Sequence, residues 1–370
     1  MRSSRTHPIA VAFLLVPLLL PAQQPLRFAP AFRHYTTDQG LSNNWVYDIY
    51  QDHIGYLWIA TDHGVCRFDG YKFEQFPDTL NTNLTSVLTG AMAEDSLGRI
   101  WYVDFQNRVF YIENDTIRPY PYNHVIEQQK GQTDIFHGLY VAGAGAELWL
   151  VARANGGVLH LWGAGQYDRI PPPEHVEILV FEKNGKSQYA LNNVGKVFPA
   201  QKTVRQYTDG KNDSLVLPYP PENRLHGGYW VKKLHNDRTL LYLPGWLYLL
   251  QHQTMHWMRP GKVPLSLLEE PDGSLLVGYL HGGGLLRYRS LNDLRADRPE
   301  SRWLPGLSVS QIMRDREGGY WIGTQQDGVF YSPDLHEAAA AQIPLFEGRN
   351  VKALAPNGAG SIHDWEYAWL

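Results

Sequence analysis

A tryptophan-centred motif recurs along the chain and constrains its fold more than any other feature. The pattern Asp-x-x-Gly-x-x-Trp stands at residues 52–58, 95–101 and 315–321. In the first and third copies a Thr and then a Gly follow the Trp. Repeated units of this length cannot bury a core alone, and they stack into arrays or propellers. The repeat therefore predicts a stacked β architecture.

The motif can be followed through seven units by choosing one equivalent of Trp58 in each. These positions are Trp58, Trp101, Trp149, Tyr189, Tyr242, Val277 and Trp321. Their mean spacing of about 44 residues is the length of a β-propeller blade of four strands. The sequence therefore predicts an all-β fold, a seven-bladed β-propeller of four-stranded antiparallel blades.

The first unit shows why each repeat is interpreted as a blade. β-branched and aromatic residues fill 46–50, 56–61, 65–68 and 71–76, which is typical of strands. Asp and Gly occupy the intervening turns, where Asp bonds back to the backbone and Gly accepts a positive φ. The Trp of each unit is predicted to be core, filling the wedge between neighbouring blades.

The two ends of the repeat region carry partial units. Residues 32–36 resemble a fourth strand without the three strands before it, and closure of a ring predicts that they complete the last blade. Residues 351–358 resemble the first strand and turn of a further repeat at the C-terminus. We expect the propeller over residues 28–346, and over 347–370 either a partial next repeat or a truncated tail.

Residues 1–22 have the pattern of an export signal. Arg2 and Arg5 precede an apolar run over 9–20, and Ala22 offers a small residue for cleavage. The run is too short for an ordinary membrane span, so an export signal is favoured over an uncleaved anchor. Cys66 is the only cysteine, so stability must come from packing rather than from a disulfide within the chain.

Two segments resemble a known family, the two-component regulator propeller repeats of bacterial sensor proteins that are common in Bacteroidetes. The similarity covers residues 28–335 and is strongest in the first, second and seventh units. The matching residues are Phe32, Tyr35, Thr36, Gly40, Leu41, Ser42, Asn43 and Asn44, then Asp52, Gly55, Leu57, Trp58, Ile59, Thr61, Gly64, Arg67, Phe68, Asp69 and Gly70.

The resemblance implies a place for the chain in a signalling receptor. In that family one or two propellers lie in the periplasm, followed by a β-sandwich, a membrane span and a histidine kinase or other output module. It implies a periplasmic domain, an oligosaccharide ligand and self-association as a receptor dimer through an inner-membrane parent protein. Contact with the membrane is expected only through a downstream segment absent from this chain.

Charge and motifs argue against several other functions. The net charge is −4 and no run of Lys and Arg stands out, so no nucleic-acid partner is expected. The sequence has no His-Glu-x-x-His zinc motif, no Gly-x-Ser-x-Gly elbow and no phosphate loop. Its Asp-x-x-Gly turns lack the dense oxygen ligands of a calcium loop. We therefore expect no catalytic residue, no metal and no cofactor, and we interpret His281-Gly282-Gly283-Gly284 as a glycine-rich turn.

Binding is the better candidate activity, and the predicted ligand face is built from the loops between second and third strands. In a propeller these loops gather around the central opening, and function concentrates on loops of rigid scaffolds. Amides, His, Arg and an aromatic ring suit the hydroxyls and apolar face of a sugar. The predicted ligand-binding residues are His63, Gln106, Arg153, Asn155, Asn192, Trp246, His281 and Gln325.

Three functions remain open at this point. The leading one is a ligand-sensing ectodomain of a two-component receptor that recognises a glycan or another extracellular ligand. The second is an exported propeller enzyme, a polysaccharide or lactone-type lyase with a His and an Arg on this face. The third is a passive protein-interaction scaffold.

Overall fold

The computed structural model shows a chain built almost entirely from β-strands. It divides into two compact units, Ala31–Asp334 and a second unit formed by Met1–Pro30 with Leu335–Leu370. The segment predicted as an export signal, residues 1–22, lies outside the described residues. Described are residues 27–28, 30–76, 87–130, 136–145, 147–152, 157–170, 178–183, 186–191, 201–208, 211–218, 230–236, 238–243, 245–251, 254–258, 260–335, 338–339, 354–356 and 362–364.

The elements are numbered along the chain. The first strands are β1 (Arg27–Phe28), β2 (Arg33–Tyr35), β3 (Val46–Gln51), β4 (Leu57–Thr61), β5 (Gly64–Phe68), β6 (Phe73–Gln75), β7 (Val87–Glu94), β8 (Ile100–Asp104), β9 (Val109–Glu113), β10 (Thr116–Pro119), β11 (Phe136–Ala142), β12 (Glu147–Ala152), β13 (Val158–Trp162), β14 (Gln166–Ile170), β15 (Ile178–Lys183) and β16 (Lys186–Leu191). The remaining strands are β17 (Gln201–Thr208), β18 (Lys211–Pro218), β19 (Trp230–Leu234), β20 (Arg238–Leu243), β21 (Trp246–Gln251), β22 (Thr254–Met258), β23 (Pro264–Glu269), β24 (Leu275–Tyr279), β25 (Gly284–Tyr288), β26 (Ser301–Trp303), β27 (Ser308–Arg314), β28 (Tyr320–Gln325), β29 (Val329–Ser332), β30 (Ala338–Ala339), β31 (Leu354–Pro356) and β32 (Ile362–Asp364). A short 3-10 helix covers Thr37–Gln39, α1 covers Asn123–Gln129 and α2 covers Leu291–Arg295.

Six sheets of the larger unit are blades of four antiparallel strands. Blades 1, 2 and 3 are β3–β6, β7–β10 and β11–β14, and blades 4 and 5 are β19–β22 and β23–β26. Blade 6 consists of β27, β28, β29 and, at its edge, β2. The first strands contact one another from blade to blade, β3 with β7, β7 with β11, β19 with β23, β23 with β27, and β27 with β3. These strands therefore line the axis of a propeller.

The prediction of seven antiparallel blades is wrong, because the propeller has six. Strands β15–β18 form a sheet of a different kind, with the order β16-β15-β17-β18 and a parallel pair between β15 and β17. A parallel pair cannot be joined by a hairpin, as successive strands of a blade are. This sheet contains Tyr189, which was assigned to the repeat on its spacing and on the nearby Asn184-Gly185 and Gly195, without the Asp or the Trp of the motif.

In the smaller unit the described strands form two short antiparallel pairs. Strand β1 pairs with β30, and β31 pairs with β32. The expectation that residues 347–370 begin a further repeat stays a prediction.

Strand β2 closes the ring, as the sequence predicts. It runs antiparallel to β29, with Arg33 opposite Tyr331 and Tyr35 opposite Val329. The ring of Tyr35 stacks on Trp321, with centroids 5.8 Å apart. A strand from near the start of the chain therefore completes the blade made by its last propeller strands.

The Asp of the repeated motif organises both a turn and a tryptophan. The Oδ1 atom of Asp52 accepts hydrogen bonds from the backbone N–H groups of Ile54 (3.1 Å), Gly55 (2.9 Å) and Tyr56 (2.9 Å). Its Oδ2 atom accepts one from the indole N–H of Trp58 at 2.8 Å. The side chain is predicted from sequence as a turn former, and the structure adds the indole bond.

The other two copies of the motif repeat this arrangement. The indole N–H of Trp101 donates to Asp95 at 2.8 Å, and that of Trp321 donates to Asp315 at 2.9 Å. Asp95 is 7% exposed, and its carboxylate also pairs with Arg99 at 2.7 Å. Because a buried carboxylate is costly unless it is bonded, its donors hold it in one place, and it holds the indole in turn.

Each of these indoles fills the space between two blades, as predicted. Trp58 packs in one cluster with Ile100, Tyr102 and Phe110 of blade 2. Trp321 packs with residues of blade 1, among them Ile59 and Cys66. Aromatic wedges therefore couple each motif to the neighbouring blade.

Blade 5 keeps this arrangement with different residues. Leu276 lies opposite Leu268 in the register that places Trp58 opposite Tyr50, so Leu276 rather than Val277 is the equivalent of the tryptophan. The one-residue error matters because neighbouring strand residues face opposite sides. Val277 accordingly packs backward against blade 4, in a cluster with Tyr242.

Glu270 stands in blade 5 where the other motifs have Asp. Its backbone N–H bonds to the carbonyl of Ser274, as that of Asp52 bonds to Tyr56. Because blade 5 has no tryptophan at the equivalent position, the Glu270 carboxylate instead accepts a hydrogen bond from the hydroxyl of Tyr320 in blade 6. Burial and this carboxylate raise the pKa of Tyr320 above its ordinary value, so the phenol stays protonated as the donor.

We expect Asp52→Ala to lower the free energy of unfolding by about 3 kcal/mol, because buried donors of the turn and the indole lose a charged acceptor. Denaturant unfolding followed by tryptophan fluorescence measures the loss. The control is Asp272→Ala, which alters an exposed Asp in the corresponding turn of blade 5. Equal losses in the two variants would contradict a special role for the buried carboxylate.

We expect Gly328→Ala to weaken ring closure. A Cβ at Gly328 would lie 2.2 Å from the carbonyl oxygen of Tyr35 in the closing strand. Gly55→Ala is the matched control, because both glycines have positive φ but a Cβ at Gly55 meets nothing within 4 Å. Thermal unfolding should show Gly328→Ala to be less stable than the control by about 2 kcal/mol, the cost of overpacking. A smaller loss for Gly328 would mean that β2 is dispensable.

Candidate functional site

A β-bulge recurs in the first strand of four blades, near the end of the strand that adjoins the turn between the second and third strands. In β3, Val46 lies opposite Thr61 and Asp48 opposite Ala60, so one residue between them has no partner. The same irregularity occurs in β11, β23 and β27. Bulges of this kind bend a strand and redirect the extra side chain. The extra residues are Tyr47, His137, Leu265 and Ser310.

In blade 1 the bulged residue supports the turn between β4 and β5. The Tyr47 hydroxyl donates to Asp62 at 3.0 Å. Burial and the neighbouring carboxylate raise the pKa of Tyr47 above its ordinary value, so the hydroxyl remains a donor. Next to Asp62, the exposed His63 has its Nδ1 atom 2.7 Å from the side-chain amide nitrogen of Asn43. Predicted residue His63 is therefore part of a fixed polar cluster.

Aromatic rings extend this cluster to blade 2. The ring of Tyr47 lies 6.4 Å from that of Trp45 and 5.4 Å from that of Phe105, measured between centroids. Phe105 is 42% exposed, which is high for a phenylalanine. It stands beside predicted residue Gln106 in the turn between β8 and β9, and Gln106 is exposed as well.

The turn that carries Phe105 is held rigid from beneath. Asp104 is buried, and its Oδ1 accepts the backbone N–H groups of Gln106 (2.9 Å) and Arg108 (2.8 Å). Its Oδ2 accepts the guanidinium Nε of Arg108 at 2.7 Å. A fully bonded carboxylate thus fixes an exposed aromatic side chain in place.

The turn between β28 and β29 joins the cluster on its other side. Predicted residue Gln325 is the last residue of β28 and lies opposite Ser308. Gly328 of this turn donates its backbone N–H to the carbonyl of Asn44 at 2.8 Å. Since Asn43 contacts His63, the loop before β3 links the turns of blades 6 and 1.

The turn between β24 and β25 in blade 5 borders a cavity of ≈ 530 Å³. Predicted residue His281 lines it and is exposed, with a left-handed φ of 54°. The backbone N–H of Gly282 lies 3.4 Å from the hydroxyl of Ser308, which connects this turn to that of blade 6. The cavity, called here the blade 5 cavity, is lined by Gly261, Lys262, Val263, Leu280, His281, Gly282, Gly283, Leu286, Arg302, Trp303 and Pro305.

These contacts join the second-to-third-strand turns of four blades, which we call the loop arc. The arc runs from blade 5 through blades 6 and 1 to blade 2, and it brings together predicted residues His281, Gln325, His63 and Gln106. Trp246 begins β21 in blade 4, opposite Leu243, outside the arc. Predicted residues Arg153, Asn155 and Asn192 lie outside the described residues.

Sequence reasoning missed five residues of the arc and the cavity. Three of them had a visible signal, because Asn43 lies in the loop that carries the family resemblance, and Trp45 and Tyr47 follow that loop closely. Phe105 stands in a predicted loop but was passed over as a hydrophobe. Lys262, at the edge of the cavity, has no pattern around it that indicates a site.

Metal binding and membrane insertion find no support in the described part of the chain. There, no three His, Cys, Asp or Glu side chains cluster as metal ligands. Nor does any helix among the described residues have the length and hydropathy to cross a membrane. The arc is a surface of polar side chains, among them the Asp62 carboxylate, and of aromatic rings, and it borders a cavity lined by Lys262 and Arg302.

Comparison with protein families confirms the predicted resemblance. The model of the two-component regulator propeller matches residues 40–63 and 304–326. These two segments contain the first and the last Trp motif. A 43-residue stretch is 46% identical to histidine kinase P4 of Formosa agariphila, and covers 12% of this chain and 3% of that protein. Two segments of the chain thus match the two-component regulator propeller repeat.

Solved structures share the fold. The extracellular domain assigned to a hybrid two-component system of B. thetaiotaomicron is 18% identical with a TM-score of 0.56, over 90% of this chain and 46% of that one. A second such domain, assigned to a one-component system, is 16% identical with a TM-score of 0.54, over 81% and 39%. A streptogramin B lyase is 11% identical with a TM-score of 0.61, over 83% and 98%. The chain spans less than half of the two sensor domains, and at these identities the likeness shows the fold alone.

We expect His281→Gly to be more stable than His281→Ala by about 1 kcal/mol, because only glycine adopts the left-handed conformation of this residue without strain. Thermal unfolding of both variants measures the difference. Glu300→Gly and Glu300→Ala are the matched control pair, because Glu300 is exposed and is not among the described residues with a left-handed φ. There alanine should be the more stable. If alanine were also the more stable at residue 281, the turn would hold no strain.

Proposed function

We propose that this two-component regulator propeller domain is the exported, ligand-sensing part of a signalling receptor, and that it recognises a glycan through the loop arc. The observation that carries the proposal is the arc itself. It brings the exposed ring of Phe105 into contact with Tyr47, which also contacts Trp45, and it includes the exposed side chains of His63 and Gln106.

The chemistry of this surface matches a saccharide. A sugar ring has apolar C–H faces that stack on aromatic side chains, and its hydroxyls both donate and accept hydrogen bonds. Asn43 and Gln106 carry amides that can do both, and Asp62 carries an acceptor.

Rigidity supports the same proposal. Tyr47 is fixed by its bulge and by Asp62, and the turn of Phe105 is fixed by Asp104. Side chains ordered before binding lose little conformational entropy on binding, so a preformed surface gives more affinity for the same contacts. The repeated framework of the blades thus holds in place the loops whose residues differ from blade to blade.

The remaining parts of the receptor are proposed from the family. We propose residues 1–22 as an export signal and residues 28–346 as the propeller region, in a protein whose further segments supply the membrane anchor, the dimer contacts and the output module. A periplasmic location fits the extracellular sensor domains that share the fold. Within this domain we propose binding without catalysis, because the sequence lacks the hydrolase motifs and the lyases share only the ring.

We expect Phe105→Ala to weaken oligosaccharide binding at least tenfold, because it removes an exposed stacking ring while leaving the buried Asp104 bonds intact. Isothermal titration calorimetry with a panel of neutral and acidic oligosaccharides measures the affinity. Tyr71→Ala is the matched control, since Tyr71 is 93% exposed in the hairpin between β5 and β6, at the opposite ends of the strands. The control should bind as the unaltered domain does.

Two outcomes would contradict the proposal. Equal affinities of Phe105→Ala and the unaltered domain would remove the arc as the glycan site. Accumulation of unsaturated sugars when the domain is incubated with polysaccharides would identify a lyase instead of a sensor.

A further inference from the structure

We propose that the blade 5 cavity is a subsite for an anionic group, the carboxylate or sulfate of an acidic saccharide. This inference rests on the proposed glycan recognition and names the class of glycan. The cavity adjoins the loop arc through the contact between Gly282 and Ser308, so one oligosaccharide can reach both.

Two cations without an acidic partner line the cavity. Lys262 and Arg302 are exposed there, and neither takes part in an ion pair among the described residues. Neighbouring arginines behave differently, since Arg287 pairs with Asp272 and Arg289 pairs with Glu300. The cavity therefore has two positive charges that form no ion pair within the described part of the chain.

The carboxylate closest to this region is already bonded. Asp297 accepts the hydroxyl of Tyr288 at 3.1 Å, and it does not line the cavity. A Cβ placed on Gly261 would stand 3.3 Å from its Oδ2 atom, so its charge lies next to one edge of the cavity. One negative charge beside two positive ones leaves the cavity cationic.

Tyr279 positions the lysine. The Nζ atom of Lys262 lies 5.6 Å from the centroid of the Tyr279 ring, within the range of a cation–π interaction. The Tyr279 hydroxyl lies 2.9 Å from that of Tyr288. Burial raises the pKa of Tyr288 to about 12, and it raises the pKa of Tyr279 still further, so both phenols stay neutral. No phenolate competes with an incoming anion.

The glycine run after His281 builds the cavity wall. Gly306 donates its backbone N–H to the carbonyl of Gly282 at 3.1 Å, and Gly284 donates to the carbonyl of Leu307 at 3.0 Å. A Cβ on Gly284 would lie 2.6 Å from the carbonyl oxygen of Trp303. Only glycine permits the two turns to approach this closely. Close packing therefore explains the glycine-rich motif at residues 281–284 without a catalytic role.

Both turns also hold a side-chain-bearing residue in a strained conformation. His281 and Leu304 have φ values of 54° and 50°, in the left-handed region that leucine rarely adopts. Strain of this kind persists where surrounding structure enforces it, and it concentrates at ligand sites. Trp303 and Pro305 add apolar lining suited to a sugar ring, in a cavity of the size that small ligands occupy.

The test compares two oligosaccharides of equal length, one ending in glucuronate and one in glucose, together with inorganic sulfate. Calorimetry should show tighter binding of the acidic oligosaccharide, and sulfate should compete with it. Lys262→Met and Arg302→Gln should each weaken acidic binding about tenfold and leave neutral binding unchanged. Arg295→Gln is the matched control, because it removes one charge from an exposed residue at the end of α2, outside the cavity lining.

The outcomes separate this inference from the proposed function. Acidic binding that is unchanged in both cavity variants, or that sulfate does not reduce, overturns the subsite. If neutral binding persists and depends on Phe105 while the cavity variants have no effect, glycan recognition stands and the subsite fails. If neither oligosaccharide binds, glycan recognition fails. In that case the subsite is supported only if sulfate binds saturably and Lys262→Met and Arg302→Gln abolish this binding. If sulfate does not bind in this way, the subsite is overturned too.

Discussion

The ring depends on a buried carboxylate that receives the N–H of an indole. In the three complete motifs, one Asp holds the turn between the first two strands with one oxygen and the tryptophan with the other. The turn is local, whereas the tryptophan packs on the following blade, so one side chain couples local structure to the contact between blades. In blade 5 the same position uses Glu270, whose longer side chain bonds Tyr320 of the next blade directly. The coupling between blades is thus retained although the tryptophan is absent.

The features of the fold that depend on the repeated motif could be predicted from the sequence. The propeller class, the role of the Trp residues and closure by residues 33–35 follow from the repeat, because turn chemistry and wedge packing leave a pattern in sequence. The number of blades does not follow. The unit around Tyr189 had the right spacing but neither the Asp nor the Trp of the motif, and its strands pair in another order. The spacing of a unit shows only that the chain is long enough for a blade. The Asp and Trp of the motif show in addition that its first two strands are joined by the turn found in a blade.

The site could be predicted only in part, for a related reason. The loop positions of His63, Gln106, His281 and Gln325 were predicted because such positions follow from the strands, and the structure brings these residues into one arc. Their role in binding stays a prediction. Tyr47 was missed because a bulge turns it out of the alternation that sequence shows. Trp45 and Phe105 were not singled out, since exposure depends on neighbours distant in sequence. The cations of the blade 5 cavity come from two loops about 40 residues apart, and only the packing of two glycine turns brings them together.

Closure by β2 has a consequence for how such a chain is made. Residues 33–35 pair with residues that are synthesised almost 300 positions later. Until those residues are synthesised, β2 has no strand to pair with, and the blades already made form an incomplete ring with two free ends. Contacts of such sequence separation form slowly, and unpaired edges attract other strands and proteases. A chain interrupted before its last blade would therefore be recognisable as unfinished, because its first and last strands would both remain exposed.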